Sequence, residues 1–406
     1  MKQNSNRLLP IGFAIFLVAV CLLIFVSENI NGRFWLNDFK VYYLASKSLL
    51  QGTQVYGIPF GLDSGFYKYS PFVLLLFAPL TFLPYNLAAT IYFFLIVFCV
   101  LWIFVLLKHF IERYFLPQPA PHQAWTLSAT LIFVLSLLHR ELHLGNTNIL
   151  LLLLLLLTIR HLLRFQYILA GTLFGLVILF KPFFLILALP ILLHKKWNIL
   201  RGGIAFALAQ YLLFMALFGW SATLKLHTLW AKAILDHSSS FPTQNNISYF
   251  LNRFLHIAPP SWFQYALLLS VALAYVLLFL RNKSIAATLP ASLQPHDRNF
   301  IFESFILMAL LPNILNTDTE HFLYTLPLIA LLIYTSFQLK RLSLFISLAI
   351  LFLFYGINSK DIVGATIAHF FDDIGALGLS NLGLIGMAIV VFWKKKDKSQ
   401  VSDTKY

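Results

Sequence analysis

The stretch GTLFGLVILFKPFFLILALPILLHKKW, residues 171–197, contains two apolar runs that meet at Lys181 and Pro182 and end in the basic segment HKKW. The runs are continuous Leu, Ile and Phe, without the alternation of apolar and polar residues that marks the strands of a membrane β-barrel. Apolar runs recur along the whole chain, and a helix needs about 17–25 apolar residues to cross a bilayer. The sequence therefore predicts an all-α polytopic membrane protein.

The composition supports the same class. Of the 406 residues 60% are hydrophobic and 11% are charged, whereas a soluble domain has roughly 25% charged residues. The formal net charge is +14, but the basic residues cluster between the apolar runs, as in the cytoplasmic loops of membrane proteins. Cys21 and Cys99 both lie inside apolar runs, so no disulfide framework is expected. The predicted partner is a lipid bilayer and not a nucleic acid.

The N-terminal segment begins with Lys2 and Arg7 and continues into a long apolar run. No small-residue cleavage site closes this run, so we interpret it as an uncleaved first helix and not as a signal peptide. Basic residues stay on the cytoplasmic side of the membrane. The N-terminus is therefore expected in the cytoplasm and a first outer loop, residues 27–70, on the outer side.

The number of crossings follows from the length of the apolar runs. The run 71–83 has a dozen or so residues between two prolines, which is short for a full crossing, and we interpret it as a partial or re-entrant element. About 12 spans remain, and this even number keeps both termini, including the basic tail 394–406, in the cytoplasm. We expect one integral membrane domain, residues 1–406, in the plasma membrane, with a later outer loop at 219–258.

The segment NDFKVYYLASKSLL, residues 37–50, is polar enough to lie outside the bilayer. Read as a helix, it has an apolar and aromatic stripe made of Phe39, Tyr42, Tyr43, Ser46, Leu49 and Leu50. This pattern is typical of an amphipathic helix at the membrane surface. Asp38 stands at its start, either as an N-cap or as a general base at the boundary between water and lipid.

Ionisable residues at membrane depth are candidates for function because their burial is costly. They are Asp38, Lys181, Glu303, Asp318, Glu320 and His321. Lys181 would sit at the outer tip of a hairpin, either as a lysine that extends to the headgroups or as a fixed ammonium that receives a phosphate. His139 and His143 are four residues apart, but Glu141 has the wrong offset for an H-E-x-x-H motif. We expect no metal site and no cofactor.

Five segments together resemble one family. They are DFKVYYLASKSLLQGTQVYG (38–57), FYKYSPFVLLLFAPLTFLP (66–84), LGNTNILLLLLLLL (144–157), the stretch 171–197, and NNISYFLNRFL (245–255). Their order and spacing, over roughly residues 36–340, resembles glycosyltransferase family 87, the polyprenol-phosphate-mannose-dependent transferases of the GT-C superfamily. The resemblance implies a GT-C-like bundle of about 12 transmembrane helices with an interfacial helix in the first outer loop.

The resemblance also implies an activity and residues for it. A hexose, mannose in this family, would pass from a polyprenyl-phosphate sugar donor to a glycolipid or glycan acceptor on the outer face of the membrane. Asp38 is at the position of the catalytic carboxylate. Lys181, Arg253, Asn246 and Ser248 match the residues expected at the donor and its phosphate. Further contacts with donor or acceptor are expected from Tyr42, Lys68, Tyr69, Asn146, Asn148 and His321.

Three segments depart from the family pattern. The usual Gly-Gln-x-Asn is Gly-Asn-Thr-Asn at 145–148, Ile247 replaces the usual Gln, and His321 lacks its Ser-Pro-x-x-Trp lead-in. Two other classes stay open, a transporter or flippase of lipid-linked sugars and an O-antigen polymerase or ligase. A transporter predicts charges on several helices near the midplane, where this chain has Glu303. A polymerase or ligase has its large functional loop late in the chain, whereas Asp38 is early.

Overall fold

The computed structural model describes residues 9–61, 65–116, 122–237, 244–260, 262–286, 296–358 and 360–393. These residues are mainly helical, and within them the extended pairing is one isolated bridge between Pro59 and Phe66. The first nine helices are α1 (Ile11–Ile30), α2 (Asn37–Leu50), α3 (Pro71–Phe77), α4 (Tyr85–Tyr114), α5 (Gln123–Phe133), α6 (Leu135–Leu144), α7 (Asn148–Leu163), α8 (Tyr167–Phe180) and α9 (Ala188–Leu193).

The second half of the chain continues in the same way. Its helices are α10 (Ile199–Phe218), α11 (Trp220–His237), α12 (Ile247–Leu255), α13 (Phe263–Ala286), α14 (His296–Ile314), α15 (Leu326–Leu339), α16 (Leu342–Tyr355), α17 (Lys360–Ile374) and α18 (Ala376–Trp393). In the described part of the chain three 3₁₀ segments, Ala78–Phe82, Pro182–Leu187 and Thr319–Thr325, precede or extend these helices. The predicted outer loop 219–258 thus contains α11 and α12, and the predicted tail 394–406 lies outside the described residues.

Several helices are long and apolar enough to cross a membrane. Within the described residues there are five such segments: Ile11–Ile30, Tyr85–Tyr114, Ile199–Phe218, Phe263–Arg281 and Thr319–Leu339. Two bent pairs, α5 with α6 at 61° and α17 with α18 at 59°, raise the number to as many as seven. The prediction of an all-helical, multi-pass membrane protein is confirmed. The run at 71–83 forms a short apolar helix, Pro71–Phe82.

Lys181 lies between the two arms of a helical hairpin. Helix α8 packs so closely on α10 that a Cβ on Gly171 would lie 2.3 Å from the carbonyl oxygen of Ile199. A Cβ on Gly202 would lie 2.2 Å from the carbonyl oxygen of Ile168. Since α10 begins soon after α9 ends, the second arm has returned to the level at which α8 begins. Lys181 is therefore at the far end of the hairpin from that level.

Helix α2 positions Asp38. Leu36 precedes it in the left-handed region, with φ 39°, and turns the chain from α1 into α2. The helix buries Phe39, Tyr42 and Tyr43 against α3 and the 3₁₀ segment after it. Asp38 is in the first turn, and the helix has no side-chain cap. The interpretation of Asp38 as an N-cap is therefore wrong, because it requires the helix to begin at Phe39, whereas the helix begins two residues earlier, at Asn37.

Candidate active site

Four segments that are far apart in the sequence meet at one polar cluster. They are the first turn of α2, the end of α6 with the turn before α7, the tip of the α8–α9 hairpin, and the 3₁₀ segment Thr319–Thr325 with Asp318 before it. The last of these packs against both α6 and α7. We call this set the Asp38 cluster; it consists of Asp38, Arg140, Glu141, Asn146, Asn148, Lys181, Asp318, Glu320 and His321.

The carboxylate of Asp38 is held by a side-chain amide. Asn146 Nδ2 donates to Asp38 Oδ2 at 2.7 Å and to Glu320 Oε1 at 3.3 Å, so one amide group bridges two carboxylates. Burial, together with the charges of Glu320 and Asp318, raises the pKa of Asp38 to about 7, against the opposing charge of Lys68. A carboxylate with this pKa is a competent base near neutral pH.

The orientation of the Asn146 amide is fixed by its other partners. Its Oδ1 accepts a hydrogen bond of 2.6 Å from the backbone N–H of Thr147 and a longer one, 3.5 Å, from the hydroxyl of Tyr42. The hydroxyl of Tyr92 donates to the Asn146 carbonyl at 3.2 Å. With its oxygen facing these donors, the amide must present its NH₂ group to the carboxylates.

Lys181 is buried, and its ammonium is held by two side chains. Its Nζ donates to Asn148 Oδ1 at 2.5 Å and to His321 Nε2 at 2.7 Å. Since Nε2 accepts this bond, the His321 proton is on Nδ1, which donates to the Asp318 carbonyl at 3.2 Å. The hydroxyl of Tyr324 also donates to Asn148 Oδ1, at 2.9 Å. An ammonium with such partners does not extend to the headgroups as a snorkelling lysine does.

Glu141 is a buried carboxylate that the sequence did not single out for function. It accepts hydrogen bonds of 2.9 Å from Asn148 Nδ2 and from the backbone N–H of Ile149. These bonds turn the oxygen of the Asn148 amide towards Lys181. Glu141 thus orients Asn148 and places a negative charge near the buried ammonium. The sequence feature that could have indicated Glu141 is its position four residues before Gly145, at the end of α6.

Arg140 and Glu320 form an ion pair at the edge of the cluster. Arg140 Nε donates to Glu320 Oε2 at 2.9 Å; the Glu320 side chain is 1% exposed and the Arg140 side chain 53%. The sequence picked out Glu320 as a buried acid but not Arg140. Arg140 is on α6 and Glu320 in a segment 180 residues further on, so no local pattern relates them.

The predicted contact residues Tyr42, Lys68 and Tyr69 lie beside this cluster. The hydroxyls of Tyr42 and Tyr69 are 3.0 Å apart, and Tyr69 is also 2.9 Å from Thr147 Oγ1. Burial lowers the pKa of Lys68, while the charges of Asp318 and Asp38 act to raise it. Both tyrosines connect α2 and the 66–70 segment to the turn that carries Asn146.

The residues predicted on α12 have other partners. Asn246 caps α12 by accepting from the backbone N–H of Tyr249 at 2.8 Å, and its Nδ2 donates to Asn316 at 2.7 Å. Arg253 is exposed, and its Nε donates to the carbonyl of Asp373 at 3.2 Å. Ser248 is partly buried on the same helix. The structure therefore bonds Asp38 to Asn146 and, in the same cluster, Lys181 to Asn148 and His321. It joins Asn246 and Arg253 to different residues.

One group of side chains has the composition of a metal site. The ligand atoms of Asp318, Glu320 and His321 lie within 4.8 Å of one another. Glu320 holds the guanidinium of Arg140, and His321 Nε2 accepts from the ammonium of Lys181. A metal ion would have to displace the guanidinium of Arg140 and the ammonium of Lys181, so these residues as arranged do not fit one. His139 and His143 pair instead with Glu28 on α1, at 3.4 and 2.7 Å.

Together these observations define a multi-pass membrane protein with a buried polar site, in which hydrogen bonds link a carboxylate to a guanidinium and hold an ammonium nearby on an amide and an imidazole. The sequence model of glycosyltransferase family 87 matches residues 66–293, which is more than half of the chain. The chain belongs to glycosyltransferase family 87 and is a membrane glycosyltransferase. The matched range includes Lys68, Asn146 and Lys181, whereas Asp38 and His321 lie outside it.

A solved structure is also similar to this chain. It is the crystal structure of ArnT from Cupriavidus metallidurans bound to undecaprenyl phosphate. The sequence identity is 13% and the TM-score 0.39, and the likeness covers 93% of this chain and 78% of that chain. No curated protein sequence matches this chain.

Proposed function

We propose that this glycosyltransferase moves a hexose from a polyprenyl-phosphate sugar donor to a glycolipid or glycan acceptor, with Asp38 as the general base. Mannose is the sugar that the family resemblance implies. The observation that carries the proposal is the environment of Asp38. Its pKa is raised to about 7, its Oδ2 is fixed by Asn146, and the charges of Lys68 and Lys181 act on it.

The chemistry follows from this arrangement as a single displacement. Asp38 takes the proton of the acceptor hydroxyl, whose oxygen attacks the anomeric carbon of the donor sugar. The bond from that carbon to the phosphate oxygen breaks, and its electron pair leaves with the polyprenyl phosphate. One base and one displacement imply inversion at the anomeric carbon. Lys181 is the buried cation proposed to stabilise the charge that grows on the leaving phosphate.

The hydrocarbon tail of the donor requires an apolar site near the charged one. A cavity of about 270 Å³ lies between α8, α9 and α10, and its lining includes Gly175, Leu179, Leu185, Gly203 and Phe206. Leu179 and Leu185 flank Lys181 in the hairpin. We propose that part of the prenyl chain occupies this cavity, with the phosphate at the Lys181 end.

The proposed topology extends the sequence prediction. About 12 spans, with both termini in the cytoplasm of a plasma-membrane protein, put the Asp38 cluster on the outer face. Helix α2 buries its aromatic stripe and exposes Lys40 and Lys47, which suits an interfacial helix in the first outer loop, 27–70. Arg253, Asn246 and Ser248, in the outer loop 219–258, remain proposed donor contacts that require the donor to extend beyond the Asp38 cluster.

The test is sugar transfer by purified protein in liposomes, supplied with labelled polyprenyl-phosphate mannose or glucose and an extract of glycolipid acceptors. We expect a labelled glycolipid with the parent protein, and at most about a hundredth of the rate with Asp38→Asn, because loss of a general base costs 10²–10⁴-fold. Asp297→Asn, an exposed acid paired with Lys196, is the matched control and should transfer at the parent rate.

Two results would contradict the proposal. More than about a tenth of the parent rate in Asp38→Asn would remove Asp38 as the base. Movement of the labelled donor across the bilayer without any transfer of sugar would instead indicate a flippase. Asp38→Asn replaces one side-chain oxygen by nitrogen and leaves the size of the side chain unchanged, so this variant is expected to accumulate normally.

A further inference from the structure

Arg140 has the form of an anion-binding group that is fixed on one edge and open on the other. Its Nε–H bonds to Glu320, whose side chain is 1% exposed, whereas the Arg140 side chain is 53% exposed. Across the described residues this is the one hydrogen bond of the guanidinium. The four N–H groups of Nη1 and Nη2 are therefore available to a ligand, and their geometry suits two oxygens of one phosphate.

The guanidinium is also fixed relative to the proposed base. Glu320 holds Arg140 through Oε2 and accepts from Asn146 through Oε1, and the same Asn146 amide donates to Asp38. A chain of three hydrogen bonds, at 2.9, 3.3 and 2.7 Å, therefore links the guanidinium to Asp38. An anion on Arg140 and a hydroxyl on Asp38 would be held at a defined separation.

From this we propose that Arg140 binds the phosphate of the lipid-linked donor and that Glu320 is the positioning residue that orients it. The inference rests on the proposed function and adds two residues to it. Lys181 is less suited to be the first contact of the phosphate, because it is buried and already bonded to Asn148 and His321. Arg253 is exposed, but its hydrogen bond ties it to the Asp373 carbonyl and not to this cluster.

The role of Arg140 in the displacement follows from charge. The donor phosphodiester carries one negative charge, and the bond between the anomeric carbon and the phosphate oxygen gives its electron pair to that oxygen. The leaving polyprenyl phosphate gains a second negative charge, while the proton of the acceptor goes to Asp38. A guanidinium already in place binds the more highly charged state better than the donor, and so lowers the barrier. Glu320 offsets part of its charge but keeps its plane in place.

The experiment measures kcat and KM for the donor at saturating acceptor, and inhibition by added polyprenyl phosphate, in the liposome assay. We expect Arg140→Gln to lower kcat about 10²-fold, the loss typical of an oxyanion-stabilising donor, and to weaken inhibition by polyprenyl phosphate at least about 10-fold. Arg140→Lys keeps the charge but not the bidentate geometry. Its kcat and its inhibition by polyprenyl phosphate should therefore lie between those of the parent protein and those of Arg140→Gln. Arg201→Gln, an exposed arginine at the start of α10, is the matched control and should leave both quantities unchanged.

Glu320→Gln separates positioning from packing. It should weaken inhibition by polyprenyl phosphate and also shift the acid limb of the pH–rate profile to lower pH, because the charge of Glu320 raises the pKa of Asp38. A packing role alone would leave that limb in place. If Arg140→Gln does not accumulate, the test is made with Arg140→Lys. A kcat and an inhibition by polyprenyl phosphate equal to those of the parent protein would then overturn the inference. Sugar transfer by the parent protein with parent-like Arg140 variants refutes this inference alone, whereas no transfer by the parent refutes the proposed function.

Discussion

The side-chain amide of Asn146 donates a hydrogen bond of 2.7 Å to Oδ2 of Asp38. The same NH₂ group faces Glu320, so it lies between two acidic groups that would otherwise repel each other. One oxygen of Asp38 is thereby fixed, and a base in a fixed position is what abstraction of a proton requires. The environment that fixes the carboxylate also raises its pKa.

The raised pKa of Asp38 predicts how activity depends on pH. Because the pKa is about 7, the side chain is largely protonated at pH 6 and ionised at pH 8. The ionised form of Asp38 is the active base. A plot of log kcat against pH should therefore rise with a slope of one below pH 7 and level off above it. The measurement is the rate of sugar transfer between pH 5 and 9 at saturating donor.

Asn146→Asp is the variant that checks this assignment. A second carboxylate beside Asp38 raises the pKa of the pair further, so the acid limb of the profile should move to higher pH. Asn146→Gln restores the amide that the family pattern has at this position and should keep the limb near 7. An unchanged limb in Asn146→Asp would show that another group controls the rate.

Parts of this site could be predicted from the sequence, and the limits have physical reasons. Asp38 and Lys181 stand out because a charged residue beside apolar runs is costly and therefore rare. Glu141 does not stand out, because its role in orienting Asn148 depends on two hydrogen bonds from the next turn of the chain. The pairing of Arg140 with Glu320 depends on tertiary packing between segments 180 residues apart, which no local pattern encodes.

The fold, too, could be predicted from the sequence in some parts and not in others. The all-helical membrane class follows from apolar composition alone, and the hairpin at Lys181 follows from its two apolar arms. An N-cap at Asp38 puts the start of α2 at Phe39, two residues too late, since the left-handed turn at Leu36 leaves no mark in the sequence that shows Asn37 to be the first helical residue. The predicted cap was wrong for that reason, and the carboxylate is instead available to Asn146.

The topology can be tested with single cysteines. Both native cysteines, Cys21 and Cys99, are buried, so background labelling should be low. Thr53→Cys, in the exposed turn after α2, should react with an impermeant thiol reagent in intact cells. Lys195→Cys, in the exposed turn between α9 and α10, should react only after permeabilisation. The reverse pattern would put the Asp38 cluster on the cytoplasmic side.

Lys181 allows binding to be separated from structure. If its ammonium stabilises the leaving phosphate, Lys181→Gln should lower kcat about 10²-fold, while Lys181→Arg should retain part of the activity because the charge survives. The measurement is the rate against donor concentration for both variants. Parent-like rates in both would make Lys181 a structural partner of Asn148 and His321. Equal loss in both variants would show that the site needs the geometry of the lysine and not only its charge.

The cavity between α8, α9 and α10 predicts a dependence on the length of the donor lipid. Gly203 lies in its lining, and a Cβ there would meet only the Gly171 carbonyl oxygen, at an ordinary 3.8 Å. Gly203→Leu should therefore be tolerated by the helix, where leucine is favoured over glycine, while its side chain fills part of the cavity. We expect KM to rise several-fold for a long-chain polyprenyl-phosphate sugar and to change little for a short-chain analogue that does not reach the cavity.

Gly12→Leu, on the exposed side of α1 with open space around it, is the matched control and should leave both values unchanged. An equal rise in KM for the two donors would mean that the substitution distorts the hairpin at Lys181, and unchanged values for both would place the prenyl chain elsewhere.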